Sequence, residues 1–297
     1  MLEKLKVCLN TMPAILSHST SLKSLVLSPE FTAMLSANQF EQILKETGMS
    51  DVNLRLGLLP LACCYAYTPI SHFNVGALAR GLSGNVYFGA NMEIPHVQLN
   101  QTLHAEQSSI AHAWSYGERG IQDLTINYSP CGHCRQFINE LNTADHLQIQ
   151  LPDVSTQPFT SFLPDAFGPE DLNMQRRLLD GKNNGFEVRK DSLLIQQACY
   201  ALNKSYAPYS QSPAGVALES VDGNIFTGMY AENAAFNPSL PALQVALTNF
   251  LMAQYDFSQI KKAVLVETKQ AALSNFKTMQ STLFSINPQV QVQYLQI

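Results

Sequence analysis

The chain has 297 residues, of which 46% are apolar and 14% charged, and its formal net charge is −5. This composition is typical of a globular protein, and the length predicts about two domains. Lys and Arg form no clustered run, and no apolar stretch approaches the roughly 18 residues of a membrane span. We therefore expect neither a nucleic-acid partner nor a membrane partner.

The N-terminal residues lack the uninterrupted apolar segment of a secretory leader, because Asn10, Thr11 and Pro13 break it. We therefore expect a cytoplasmic protein, in which thiols stay reduced and paired cysteines bind metal more often than they form disulfides. Four of the six cysteines are interpreted as small core residues: Cys8, Cys63, Cys64 and Cys199.

Helical and extended patterns alternate along the first half of the chain. Residues 1–48 are predicted to form a small helical region, and the pattern over 53–67 predicts a further helix. The elements predicted next are strands 75–79 and 86–90, helix 104–116, strand 124–128, helix 130–141 and strand 147–151. Such alternation predicts an α/β sheet with helices packed on it.

The second half of the chain repeats the first. A shift of 139 positions gives eight identities within 27 residues, among them Tyr67 with Tyr206 and Glu93 with Glu232, and three glycines recur at strand and turn boundaries. This self-similarity predicts a duplicated sheet unit. The predicted divisions are a helical region at 1–48, a catalytic domain at 49–151, a Pro- and Gly-rich linker at 152–190, and a degenerate domain at 191–297.

The two copies differ in the side chains that could carry chemistry. All seven histidines lie at or before His146, and the second copy has a single cysteine, Cys199. Under the shift of 139, His104 falls on a leucine and Glu106 on a valine, at positions 243 and 245. We therefore predict one catalytic copy, one structural copy and one metal ion per chain.

The candidate metal site combines His104-Ala105-Glu106 with Pro130-Cys131-Gly132-His133-Cys134. Residues two apart on a helix point roughly 200° apart, so His104 and Glu106 reach one point only if it lies off the start of their helix. Cys131 and Cys134 share one face of the next helix, and Pro130 is expected to mark its first turn. Two helix N-termini would then converge and favour anionic thiolates.

One His and two Cys ligands leave the fourth tetrahedral position of Zn²⁺ open for water, as in catalytic zinc sites. The predicted ligands are thus His104, Cys131 and Cys134. Glu106 is predicted to take a proton from the water and to hand protons to the ring of a substrate and to its departing amine. H-x-E followed by P-C-x-x-C is the established signature of zinc deaminases, and these residues match it.

On these motifs the chain resembles the dimeric-type bacterial cytidine deaminases over nearly its whole length, including the inactive second copy and the phrase Leu163-Pro164-Asp165-Ala166-Phe167-Gly168-Pro169. The resemblance implies a duplicated three-layer α/β/α unit, a mixed sheet with helices on both faces, plus the small N-terminal helical region. It also implies zinc-dependent deamination of free cytidine and deoxycytidine to uridine and deoxyuridine, with release of ammonia, in pyrimidine salvage. A homodimer with active sites completed across the interface is implied as well.

The resemblance further implies the residues that contact the nucleoside. The segment Phe88–Glu93, which includes Met92, would bind the ribose, with Asn91 and Glu93 holding the 3′-hydroxyl. Phe73 would pack on the pyrimidine, and the backbone around Ala105 and Ser129 would read the base edge. Phe167 and the Ala231–Phe236 loop would complete the neighbouring subunit's pocket.

Other interpretations of the same residues stay open at this point. Cys131-Gly132-His133-Cys134 is similar to the redox centre of thiol-disulfide oxidoreductases, although that interpretation leaves His104 and Glu106 unexplained. A structural zinc site would need a fourth ligand, for which only His133 or His112 could be nominated. A polynucleotide-editing deaminase shares the zinc motif but needs an open basic groove.

Three side chains have alternative roles of their own. Glu93 recurs in the copy that lacks metal ligands, so it could be a residue of the fold, and Phe73 could belong to the core. Arg135 is predicted to donate to the ligand sulfurs, although an arginine exposed at the surface is the default alternative.

Overall fold

A computed structural model describes residues 1–297. The first half is built on a six-stranded sheet in the order β1-β3-β2-β4-β5-β6, antiparallel throughout except for the parallel β4–β5 pair. Its elements are α1 (Leu2–Thr11), α2 (Ala14–Ser17), α3 (Thr20–Val26), β1 (Met34–Leu35), α4 (Ala37–Thr47), α5 (Asp51–Cys63), β2 (Gly76–Gly81), β3 (Val86–Ala90), α6 (Ala105–Ser115), β4 (Ile121–Ile126), α7 (Gly132–Ile138), β5 (Gln148–Gln150) and β6 (Gln157–Pro158).

The second half is built on a four-stranded sheet in the order β10-β9-β7-β8, in which only β9 and β10 are parallel. Its elements are α8 (Leu193–Lys204), β7 (Ala214–Ser220), β8 (Ile225–Met229), α9 (Ala242–Met252), β9 (Ile260–Glu267), α10 (Phe276–Ile286) and β10 (Gln291–Gln296). The strand order and directions match those of β5-β4-β2-β3, which confirms the duplicated mixed α/β unit.

Side chains alternate between the two faces of the first sheet, and each face has its own hydrophobic core. Leu78 and Phe88 face a core formed with α5 and the N-terminal helices, whereas Ala77 and Tyr87 face a second core on the opposite side. That second core also contains residues of α6, α9 and the other sheet. The two units therefore share a central helical layer, where α6 packs on α9 and is buried along nearly its whole length.

Local signals explain where the N-terminal helices begin and end. Ser36 caps α4 in a capping box with Gln39, and Gly48 ends that helix in the left-handed conformation with φ of 65°. Ser50 then caps α5 by accepting from the Asn53 N–H. Residues 1–48 also contribute the short strand β1, which pairs with β3, so the helical region packs on and extends the first sheet.

Several predicted elements have shifted ends. The helix predicted over 53–67 ends at Cys63, and the strand predicted over 124–128 runs from Ile121 to Ile126. The helix predicted from Pro130 begins at Gly132, with Cys131 as its N-cap, so Pro130 precedes the helix instead of opening it. The four-part division at residues 48, 151 and 190 stays a prediction.

The register of the repeat changes between the strands and the helix that follows them. The shift of 139 relates Met92 to Ala231, but their antiparallel bridge partners, Leu103 and Leu240, are 137 positions apart. The connection between β8 and α9 is therefore two residues shorter than the connection between β3 and α6.

Because the register changes, the residues of the second copy that correspond to His104 and Glu106 differ from those given by the shift of 139. The first helical residues, Ala105 of α6 and Ala242 of α9, also correspond through 137 positions. His104 therefore corresponds to Pro241 and Glu106 to Leu243, and the pairing expected from the ungapped shift is wrong. The second copy still lacks a metal ligand at these positions.

None of the helices combines the length and the apolar character that crossing a membrane requires.

Candidate metal centre and nucleoside pocket

The three predicted zinc ligands lie together at the starts of two helices. His104 is the N-cap residue of α6 and Cys131 the N-cap residue of α7, while Cys134 lies in the first turn of α7. Residues at an N-cap have extended backbone, which directs the side chain beyond the helix end. The chain thereby brings together a His and two Cys whose ligand atoms all lie within 4.8 Å of one another.

The spacing of the three donor atoms fits tetrahedral zinc. Zn–S bonds of about 2.3 Å and Zn–N bonds of about 2.0–2.1 Å imply S···S near 3.8 Å and S···N near 3.6 Å at a tetrahedral angle. The Cys131 and Cys134 sulfurs are 3.7 Å apart, and Cys131 Sγ lies 3.5 Å from His104 Nδ1. No fourth His, Cys, Asp or Glu belongs to the cluster, so these donors would leave one position open.

The electrostatics of the centre favour an anionic sulfur. Hydrogen bonding to Cys134 and to His104 lowers the pKa of Cys131 to about 3. The same contact with Cys131 raises the pKa of His104, and hydrogen bonding to Cys131 together with burial raises the pKa of the Cys134 thiol. The positive end of the α7 dipole acts in the same direction on Cys131.

Glu106 lies in the first turn of α6 and is only 4% exposed. Burial raises the pKa of its carboxyl group. Hydrogen bonds to the backbone and to Cys134, together with the charge of His104, act in the opposite direction but do not outweigh burial. A raised pKa makes the carboxylate a stronger proton acceptor that can later return the proton, which is what general acid–base catalysis requires.

A cavity of about 460 Å³ opens in front of the centre, a volume within the usual range for small-molecule sites. Most residues predicted to contact the nucleoside line this cavity together with the centre: Phe73, Asn91, Glu93, Ala105 and Ser129, with His104, Glu106 and Cys131. Met92 does not line it; its side chain is 1% exposed in the core, because side chains alternate along the extended 91–93 segment. Phe167 does not line it either, and its ring is 48% exposed elsewhere on the surface.

Sequence reasoning missed Tyr128, whose ring lies 4.7 Å from that of Phe73 at an interplanar angle of 38°. Both rings line the cavity and are half exposed, so Phe73 is not a core residue in this structure. Tyr128 directly precedes Ser129 and follows the end of β4, a position that could have indicated it. Thr102 and Val75 also line the cavity, and no sequence signal pointed to them.

The polar residues opposite the metal ligands are tied to the chain around Phe73. Asn91 accepts a hydrogen bond from the Val75 N–H and donates one to the Phe73 carbonyl. The Glu93 carboxylate accepts from the N–H groups of Ile70 and Ser71 and from the Ser71 hydroxyl. Burial opposes ionisation of Glu93, but these hydrogen bonds outweigh it and lower its pKa.

Glu232 makes the equivalent hydrogen bonds in the second half, to the N–H groups of Tyr209 and Ser210 and to the Ser210 hydroxyl. The glutamate therefore organises this turn in both copies, whether or not a metal site lies nearby. Glu93 lines the cavity in front of the metal ligands, and Glu232 lines a separate cavity of about 320 Å³ in the second half.

The remaining polar residues near the cysteines have partners other than sulfur. Arg135 donates to the carbonyls of Pro130 and Phe162 and to the Ser129 hydroxyl, so the expectation that it donates to the ligand sulfurs is wrong. His112 is fully buried beside the Phe88 carbonyl, and burial lowers its pKa to about 4. His133 lies against Gln107, and neither histidine belongs to the ligand cluster.

The equivalent point in the second half is a smaller cavity of about 170 Å³. The starts of α9 and α10 meet there, as the starts of α6 and α7 meet at the metal centre. The corresponding side chains that line it are Pro241, Leu243, Asn275 and Thr278, none of which is a zinc ligand.

Comparison with known proteins agrees with this geometry. Residues 55–148 and residues 159–280 each match a family model described as "Cytidine and deoxycytidylate deaminase zinc-binding region". A cytidine deaminase of Vibrio vulnificus (strain YJ016) is 51% identical over 281 residues, which cover 95% of both chains. A cytidine deaminase of Vibrio cholerae serotype O1 is 49% identical over 297 residues, the whole of both chains.

Among solved structures, the cytidine deaminase from Mycobacterium tuberculosis matches at 34% identity with a TM-score of 0.37, covering 40% of this chain and 99% of that one. The full-length identity to the Vibrio enzymes, the two matched zinc-binding regions and the His-Cys-Cys cluster all point to one assignment. The chain is an enzyme that belongs to the cytidine deaminase family of zinc-binding deaminases.

Proposed function

We propose that the chain hydrolyses free cytidine and deoxycytidine to uridine and deoxyuridine, with release of ammonia, in pyrimidine salvage. The observation that carries this proposal is the arrangement of His104, Cys131 and Cys134 at tetrahedral spacing, with Glu106 lining the cavity beside them. When bound there, Zn²⁺ makes water nucleophilic near neutral pH.

In this proposal Glu106 carries the protons. Its carboxylate accepts one proton from the attacking water and delivers it to the ring nitrogen. It then accepts the second proton from the hydroxyl group newly formed at C4 and delivers it to the amine, which departs as ammonia while the C4 carbonyl forms. The raised pKa of Glu106 supports both transfers, since the group can hold a proton between them. Water and cytidine are thereby converted to uridine and ammonia, with no change in oxidation state.

The other cavity residues would hold the nucleoside. Phe73 and Tyr128 offer aromatic faces to the pyrimidine, and the backbone at Ala105 and Ser129 offers polar groups to its edge. Asn91 and Glu93 would hold the ribose 3′-hydroxyl. An ionised Glu93 would also repel a phosphate, which favours nucleosides over nucleotides.

Glu106→Gln tests the proposal directly. The variant is expected to keep its zinc and to bind cytidine, while ammonia release falls by at least about 10²–10⁴, as is typical when general acid–base catalysis is lost. Glu187→Gln makes the same change at an exposed position and should leave turnover unaltered. Loss of zinc from Glu106→Gln would instead make Glu106 a ligand and contradict the assigned role.

We further propose a cytoplasmic homodimer whose active sites are completed across the interface. Phe167 is half exposed and lies outside its own chain's cavity, and Phe236 of the second half is 66% exposed. Exposed rings of this size are common where another subunit packs. All six cysteines are free, which suits a reducing compartment.

A further inference from the structure

Two glutamines join the halves of the chain in a reciprocal way. Gln107 of α6 donates its amide to the Pro238 carbonyl of the second half at 3.2 Å. Gln244 of α9, its counterpart through the shift of 137, donates to the Gln101 carbonyl of the first half at 3.3 Å and to the Gln101 side-chain oxygen at 3.0 Å. Each glutamine is 2% exposed, so both contacts lie in the shared helical layer.

The side-chain oxygens of these two glutamines have different surroundings in the two halves. In the first half, His133 Nε2 lies 3.2 Å from Gln107 Oε1. In the second half, Gln244 Oε1 is buried without a partner. The position that corresponds to His133, counted from the start of the helix, is the exposed Lys277. The glutamine–carbonyl contact is thus common to both halves, and the contact with a histidine belongs to the metal-binding half alone.

The Pro238 carbonyl determines how this histidine is held. A carbonyl can only accept, so the NH₂ group of Gln107 must face it, and the oxygen of the same amide must face His133. His133 therefore donates its Nε2–H to that oxygen. The ring so held is stacked on His104, with centroids 5.2 Å apart and an interplanar angle of 27°.

We infer that Gln107 is a positioning residue of the metal centre. Its amide, oriented by Pro238, holds the His133 ring stacked beside His104 and limits rotation of that ligand. The degenerate half thus orders the centre of its own chain through a backbone carbonyl. This inference rests on the proposed role of His104 as a zinc ligand. It goes beyond the proposed function by assigning the contacts that orient the ligand.

The test compares Gln107→Leu, His133→Phe and the matched control Gln244→Leu. Zinc release to the chelator 4-(2-pyridylazo)resorcinol and the absorption spectrum of the cobalt-substituted protein report on the centre without reference to turnover. Outer contacts of this kind typically change metal affinity by about 10–100-fold. We expect Gln107→Leu to release zinc at least about tenfold faster and to alter the cobalt spectrum, whereas Gln244→Leu behaves as the native protein in both.

His133→Phe keeps a ring beside His104 but removes the hydrogen bond to Gln107. It should match Gln107→Leu, and the double variant should add nothing further, because both changes break the same contact. Native zinc release by both single variants, or equal effects of Gln107→Leu and Gln244→Leu, would overturn the inference. If Gln107→Leu does not fold, His133→Phe against Gln244→Leu decides the question. Native protein that holds no zinc would instead refute the proposed function itself.

Discussion

Gly89 and its repeat counterpart Gly228 allow the close approach of a strand to a helix in each half. A Cβ atom at Gly89 would lie 2.2 Å from the Ser109 nitrogen and 2.6 Å from the Ala105 carbonyl oxygen, both in α6. At Gly228 it would lie 2.0 Å from the Ala242 carbonyl oxygen in α9. Relief of such contacts with backbone atoms requires the helix to move by about 1 Å, since carbon atoms pack at roughly 3.5–4.0 Å.

Gly89→Ala and Gly228→Ala should therefore both destabilise the protein, by about 1–3 kcal/mol or more, as is usual for overpacking. Only Gly89→Ala moves the helix that carries His104, while Cys131 stays with α7. Zinc sites accept displacements of about 0.2 Å, so a shift of about 1 Å should weaken metal binding strongly. Gly228→Ala should keep most of its zinc affinity.

Urea unfolding of the metal-free protein measures the loss of stability, and chelator competition measures zinc affinity. Similar losses of stability with a selective loss of zinc affinity in Gly89→Ala are the expected pattern. Zinc affinity that falls equally in the two variants would show that metal binding follows general stability. Native affinity in Gly89→Ala would show that α6 does not move as a unit, and would refute the geometric reasoning.

Three further outcomes are expected. Elemental analysis should find one zinc ion per chain, because the second half lacks ligands, and two tightly bound ions would contradict this. Cytidine should be deaminated far faster than cytidine monophosphate, and single-stranded DNA not at all; comparable rates on an oligonucleotide would indicate an editing enzyme. Mixed dimers of Glu106→Gln and Phe167→Asp, formed by subunit exchange, should regain activity, since one of the two sites would carry neither change. Confirmed exchange without recovery would mean that each chain supplies its complete site.

The duplicated fold could be predicted because the repeat preserves residues that the backbone requires. Gly89 and Gly228 lie where no side chain fits, and Glu93 and Glu232 bind the same turn in both copies. The register of the helix could not be obtained in the same way. Few identities extend beyond Glu93, and the deletion of two residues is visible only from the structure, in the bridge that spans this connection in each copy and in the starts of α6 and α9.

The clustering of the three candidate metal ligands could be predicted because His104 and the cysteine pair are local motifs with a defined chemistry. Contacts between segments that are distant in the chain were harder to predict from the sequence. Arg135 follows the candidate ligand Cys134 in sequence, yet its guanidinium donates to the carbonyl of Pro130, which precedes α7, and to that of Phe162, which follows α7 in the chain. The position of Tyr128 beside Ser129 could have indicated a place in the cavity, but its contact with Phe73 depends on two chain segments that come together beside the sheet.

Met92 illustrates a different limit. It lies between two residues that face the cavity, and a family resemblance assigns the segment as a whole. Alternation along extended backbone turns the middle side chain into the core. The assignment of a segment therefore needs the geometry of the strand before it becomes an assignment of residues.

The small cavity between α9 and α10 offers a starting point for protein engineering. Two helix N-termini already meet there, and Pro241 has the extended N-cap backbone of His104. Asn275 is helical where Cys131 is extended, so a second metal site would need new side chains and a changed backbone at Asn275. The substitutions that would copy the first site are Pro241→His, Leu243→Glu, Asn275→Cys and Thr278→Cys. A design that followed the ungapped repeat would place the histidine inside α9, two residues too late and away from the meeting point of the helices.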